Sequence, residues 1–156
     1  MRIVIIGIDP GVSGALAALN PSGEVLETLN TPCVKAGSKT RVNGAAVAAW
    51  LRGLGTIEHA YLEQVGAMPG QGVSSMFTFG HSAGVVEGIL QGIGIPYTLV
   101  TPQAWKKRAG LVGTDKDAAR SRAIQLYPNL RVLDLKGKGQ AVADAILIAR
   151  HGANCA

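Results

Sequence analysis

Asp9 closes the apolar run Arg2-Ile3-Val4-Ile5-Ile6-Gly7-Ile8 and is followed at once by Pro10-Gly11-Val12-Ser13-Gly14. A carboxylate where a buried strand gives way to a tight turn is unfavourable unless its charge has a partner. A divalent cation, which takes oxygen ligands, is one such partner. Two more acidic residues stand in comparable settings. Glu63 lies near the end of Tyr61-Leu62-Glu63-Gln64-Val65, and Asp144 is the only charge in Ala141-Val142-Ala143-Asp144-Ala145-Ile146-Leu147-Ile148-Ala149. If the strands bearing Asp9 and Glu63 are parallel neighbours, both carboxylates meet at one sheet edge. With a late helix adding Asp144, the three could hold Mg²⁺; two ions about 4 Å apart can flank a scissile phosphate. Asp-Pro-Gly also favours a turn by itself, so Asp9 alone decides nothing.

Basic residues cluster as well. Lys106, Lys107, Arg108, Lys116, Arg120 and Arg122 lie in one short stretch, and Arg131, Lys136 and Lys138 form a second group. With a formal charge of +5, this favours a polyanionic partner. Cys33 and Cys155 suggest neither a disulfide framework nor a zinc site, since no His is spaced to complete one. The N-terminal apolar run is short, is cut by Asp9 and reads as a strand. No stretch is long and apolar enough to span a membrane, so a cytoplasmic protein without a membrane partner is expected. At 156 residues, with no repeat and no linker, residues 1–156 are expected to form one domain.

The elements that must position these groups follow from pattern. Residues 3–8 read as a buried strand, 14–19 as a second and 24–29 as a third, joined by turns short enough for an antiparallel meander. Residues 32–40 read as a polar loop. Asn43 caps a helix to about residue 54, ended by Gly55, with Val47, Trp50, Leu51 and Leu54 on one face. A strand over 59–65 follows, then a loop at 68–72. Ser74 or Ser75 caps a helix through about residue 90, with Met76 or Phe77 expected in the core. Residues 96–100 form a short strand, Thr101-Pro102 opens a brief helix anchored by Trp105, Thr114 starts a helix to 126, and a last helix runs from about 140 to 151. The fold class is α/β: a mixed sheet, three antiparallel strands and then parallel ones, flanked by helices.

Several segments together resemble the RuvC family of Holliday junction resolvases. They are Gly7-Ile8-Asp9-Pro10-Gly11, Leu62-Glu63-Gln64-Val65 and Ala143-Asp144-Ala145. Phage-type members are resembled by Ala67-Met68-Pro69-Gly70-Gln71-Gly72-Val73-Ser74-Ser75-Met76-Phe77, by Thr101-Pro102-Gln103-Ala104-Trp105-Lys106-Lys107 and by Asp115-Lys116-Asp117. The resemblance spans nearly the whole chain in order. It implies an RNase H-like fold and a homodimeric endonuclease that resolves four-way DNA junctions with Mg²⁺, Mn²⁺ serving as a substitute and no small-molecule cofactor. It implies that Asp9, Glu63 and Asp144 hold metal and that Lys116 acts beside them at the scissile phosphate. DNA contacts are expected from Lys106, Lys107, Arg108, Met68, Gln71, Ser75 and Met76. The apolar helix at 74–90, with Gly80, Ala83, Gly84 and Gly88, is the expected dimer contact.

Two positions depart from the family pattern. The family places a further acidic group three residues before the last, where this chain has Ala141, preceded by Gln140 and Gly139. Gln140 or Asp134 is left as the possible substitute. Directly after the Glu-Gln-Val strand, where some members carry a stacking aromatic, this chain has Gly66; Met68, Met76 or Phe77 must then supply any wedge between bases. The missing carboxylate leaves two alternatives open: a branched-DNA-binding protein with little or no catalysis, or a nuclease acting on flaps, forks or RNA–DNA hybrids.

Overall fold

Ile3–Asp9 forms the first strand, β1: five of its residues are buried in succession, which a strand covered on both faces requires. The computed structural model describes residues 2–155. Along the chain follow β2 (Ala15–Leu19), β3 (Val25–Asn30), β4 (Cys33–Ala36), β5 (Lys39–Val42), α1 (Gly44–Arg52), β6 (Thr56–Glu63), α2 (Val73–Gly92), β7 (Tyr97–Val100), α3 (Pro102–Ala109), α4 (Ala118–Leu126), a 3-10 turn at Arg131–Asp134 and α5 (Lys136–Gly152). Five strands make one sheet in the order β3-β2-β1-β6-β7. β1, β2 and β3 pair antiparallel, whereas β6 pairs parallel with both β1 and β7. The expected mixed α/β sheet, flanked by helices, is present.

Side chains alternate across a strand, so β1 serves two cores. Val4, Ile6 and Ile8 pack with Leu16, Ala60 and Leu62, and with Val47, Leu51, Val86 and Leu90 from α1 and α2. On the other face, Ala15, Ala17 and Leu19 of β2 meet Val142, Ala145, Ile146 and Ala149 of α5. Gly7 belongs to this second face. A Cβ there would collide with the Ala145 carbonyl oxygen and the Ala149 amide nitrogen. The bare backbone at Gly7 is therefore what lets α5 lie directly on β1.

Several expected boundaries move. The loop read at 32–40 contains a two-stranded ribbon, with Cys33 opposite Val42 and Ala36 opposite Lys39. The strand read at 59–65 starts at Thr56 and ends at Glu63, which leaves Gln64 and Val65 outside it. Asn43 does cap α1, its side chain accepting from the Ala46 N–H at 3.1 Å, but the helix ends at Gly53 and not at Gly55. Gly72, not Ser74 or Ser75, precedes α2. Thr114 does not start α4. Its hydroxyl turns back to the Leu111 carbonyl, and Asp115 accepts from the Ala118 N–H at 3.0 Å, so Asp115 and Asp117 sit ahead of the helix. α5 begins four residues earlier than expected, at Lys136. Phe77 is 67% exposed and Met76 is half-buried, so neither joins the core as expected. Both cysteines are free. Among the described residues no helix is long and apolar enough to cross a membrane.

Candidate functional site

Strand register brings the first two carboxylates together. β1 and β6 run parallel with Gly7 opposite Tyr61 and Ile8 opposite Leu62. The next step in both strands is Asp9 and Glu63. Ile8 and Leu62 point into the core beneath α1 and α2, so alternation turns Asp9 and Glu63 toward the α5 face. There α5, held close by Gly7, presents Asp144 immediately before Ala145. Beyond Asp9 the chain turns sharply: Gly11 has φ 116° and its carbonyl accepts from the Gly14 N–H at 3.1 Å. A Cβ at Gly11 would press on the Phe79 ring of α2.

All three carboxylates are pushed toward the protonated form. Burial raises Asp9 well above the usual carboxylate range, the negative charges of Asp144 and Glu63 raise it further, and Lys106 partly offsets them. Burial likewise raises Glu63, opposed by a hydrogen bond from Trp105 and by Lys106. Asp144 is pushed up to about 7, by burial and then by the Glu63 charge, with a hydrogen bond from Gln140 and the Lys106 charge working the other way. Desolvation and like-charge repulsion thus outweigh the stabilising contacts.

Two neutral donors occupy this centre. The Trp105 indole N–H donates to Glu63 Oε2 at 2.6 Å, and the Gln140 amide donates to Asp144 Oδ1 at 3.1 Å. Gln140 and Asp144 are four residues apart on α5 and so share a helix face. Ala141, three residues before Asp144 and so on an adjoining side of the helix, is 5% exposed and packed in the core with Ala15, Ala17 and Leu19. Ala141 thus brings no oxygen to the centre, and the uncharged side chain that reaches a carboxylate there is Gln140. Asp134 pairs with Arg131 at 3.2 Å and is not among the walls of the adjoining cleft.

That cleft, of about 320 Å³, opens beside Asp144. Its walls include Trp105, Lys106, Thr114, Asp115, Lys116 and Gln140. Lys106 and Lys116 thus face the same space as Asp144. The rest of the basic stretch disperses: Lys107 is exposed on α3, while Arg108 lies against the last turns of α5, beside His151 and Arg150. Met68, Gln71, Ser75 and Met76 sit on the loop after β6 and the first turn of α2, outside this cleft. Met68 is 60% exposed, and its backbone N–H donates to the Met76 sulfur at 3.2 Å.

Among the described residues no group of three or more His, Cys, Asp or Glu side chains is arranged to hold a metal ion. The donor set agrees with that: one Glu63 oxygen is taken by an indole, one Asp144 oxygen by an amide, and the fourth inward position is neutral. As placed, these side chains do not form a cage for Mg²⁺.

The folded chain superimposes on a structure of T. thermophilus RuvC in complex with Holliday junction substrate with a TM-score of 0.66, at 16% identity, over 98% of this chain and 96% of that one. A second Thermus thermophilus RuvC structure gives 0.57 at 18% identity, over 95% and 92%. The chain thus shares the RNase H-like fold of those structures. No protein-family model matches the sequence, and no curated protein does. Within this RNase H-like sheet, sequence reasoning missed Trp105 as a partner of the acidic centre and took it only as a helix anchor. The available signal was a tryptophan directly before Lys106, since a buried indole N–H needs an acceptor.

Proposed function

We propose that this protein binds branched DNA through an RNase H-like domain whose acidic centre supports little or no phosphodiester hydrolysis. The observation that carries the reading is the pairing of Glu63 and Asp144 with the neutral donors Trp105 and Gln140, beside a cleft walled by Lys106 and Lys116. Lys106, Lys107 and Lys116 neutralise backbone phosphates, the part of nucleic-acid binding that does not read sequence. The raised carboxylate pKa values serve the same end. Burial and the Glu63 charge push Asp144 toward its neutral form, which lessens the repulsion between the centre and an approaching polyanion. The exposed Met68, Gln71 and Ser75, with the half-buried Met76, extend the surface toward the branch point. The likeness to RuvC bound to a Holliday junction favours a four-way junction as the ligand, with the chain acting as a homodimer.

Fluorescence anisotropy in EDTA with a synthetic four-way junction, and with linear duplex of the same length, tests this. Junction binding is expected to exceed duplex binding and to survive Asp9→Asn, while no paired nicks form in Mg²⁺ or Mn²⁺. Equal affinity for both DNAs sinks the reading. Paired nicks in wild-type protein that vanish in Asp9→Asn favour the second reading, a metal-dependent crossover junction endonuclease using Asp9, Glu63, Asp144 and Lys116. The mutual repulsion among the three carboxylates speaks for that reading, because a cation would relieve it.

A further inference from the structure

α3 carries, on successive residues, a buried donor to the acidic centre and a cation facing the cleft. Its start is fixed by Thr101, whose hydroxyl oxygen accepts from the Ala104 N–H at 3.2 Å. Trp105, 1% exposed, packs among Val100, Leu111, Ala119, Leu147 and Ile148, which belong to four separate segments of the chain. Its indole N–H reaches Glu63 Oε2 at 2.6 Å, across 42 residues of sequence. Lys106 sits 5.5 Å from the centroid of the same ring and lines the cleft. A buried indole N–H that loses its acceptor is strongly penalised, so Glu63 and α3 must move together. A packing role alone would be met by any large apolar ring; a carboxylate acceptor adds direction, because it fixes which way the Glu63 head group faces.

We propose that Trp105 is a positioning residue that fixes the Glu63 carboxylate through its indole N–H and, because it rides on α3, ties that carboxylate to nucleic acid held by Lys106 and Lys107. The pairing stands on geometry alone; the coupling to DNA rests on the branched-DNA reading above.

The chain has two tryptophans, Trp50 and Trp105, so the ¹⁵N-labelled protein gives two indole N–H signals, assigned by losing one in Trp105→Phe. In Glu63→Gln the Trp105 signal is expected to move upfield while that of Trp50 stays. A four-way junction added to wild-type protein is expected to move the Trp105 signal as well. Urea unfolding then supplies a double-mutant cycle: Trp105→Phe lowers the folding constant roughly tenfold with Glu63 present and far less in the Glu63→Gln background. An unmoved indole signal in Glu63→Gln, or additive losses in the cycle, reduces Trp105 to packing and overturns the proposal. If Trp105→Phe does not fold, Trp50→Phe supplies the assignment and the Glu63→Gln spectrum alone decides the pairing. A junction that binds without moving the signal overturns the coupling. A wild-type protein that binds no junction overturns the branched-DNA reading and the coupling with it, while the indole shift in Glu63→Gln still reports on the pairing.

Discussion

Gln140 and Asp144 share the cleft-facing side of α5, whereas Ala141, one residue along, is packed against β2. One position thus separates a substitution that alters the site from one that injures the core. Gln140→Glu adds a fourth carboxylate to Asp9, Glu63 and Asp144 and removes the amide now donating to Asp144. Mn²⁺ affinity, read by electron paramagnetic resonance titration, is expected to rise roughly tenfold or more. Ala141→Asp buries an unpaired charge among alanines and, without added metal, is expected to cost about 3 kcal/mol or more in urea unfolding. The same carboxylates set the pH response. Their folded-state pKa values are raised, so between the ordinary carboxylate range and neutrality the folded chain binds more protons than the unfolded one. Stability is therefore greatest at low pH within that window and falls as pH rises. For Asp144 the window runs from 3.8 to about 7, and the loss across it amounts to up to roughly 4 kcal/mol. Denaturation midpoints measured in EDTA from pH 4.5 to 8 should decline, and Asp144→Asn should flatten the decline; a midpoint that climbs with pH contradicts the assignment.

Gly7 shows how an element's placement, and not only its side chains, builds the centre. Because α5 rests on bare backbone there, Gly7→Ala must push the helix outward at Ala145, directly beside Asp144. The expected result is a loss of several kcal/mol, since the clash is with backbone, together with smaller pKa perturbations at Asp9 and Asp144 as they separate. Carboxyl ¹³C chemical shifts followed against pH would read both. On α3, Lys107 projects into solvent, so Lys107→Ala should weaken junction and duplex binding alike and reduce the slope of log K against log salt by about 0.9. Much of this arrangement is legible in the chain itself. β1, β2 and β3 are marked by apolar runs and by Asn20-Pro21-Ser22-Gly23, and the partnership of Asp9 with Glu63 follows once β1 and β6 are taken as parallel. The β4–β5 ribbon is not legible, because each strand has only four residues and β4 is exposed throughout, with no apolar–polar alternation to mark it. The start of α5 was hidden by Lys136-Gly137-Lys138-Gly139, whose glycines argue against a helix that the surrounding packing nevertheless imposes. The inward position of Gln140 depends on helix phase, which a strand-and-helix reading cannot set to within one residue. The Trp105–Glu63 bond spans two elements and is a property of their docking.

At the scale of the whole molecule, the glycine-lined side of α2 meets no intramolecular partner among the described residues. α2 buries Ser82, Val86 and Leu90, yet Gly80, Gly84 and Gly88 line an exposed side at four-residue spacing, and a Cβ on any of them meets nothing within 4 Å. Within a single chain these glycines have no packing reason, and each weakens the helix relative to a residue with a side chain. Close approach of a second α2 across a two-fold axis would supply one, consistent with the homodimer proposed above. This yields a prediction in which stability and assembly move in opposite directions. Gly84→Glu relieves the helix of a flexible residue and should raise monomer stability by about 0.5–1 kcal/mol in urea unfolding. The same substitution places a charge and a long side chain on the proposed contact, so sedimentation equilibrium is expected to show a dimer for wild-type protein and a monomer for the variant. Junction affinity should fall with the dimer, since two cleft surfaces no longer engage one branched DNA together, while affinity for short linear duplex should change little. A Gly84→Glu protein that remains dimeric and binds the junction as before would place the contact on another face of the molecule.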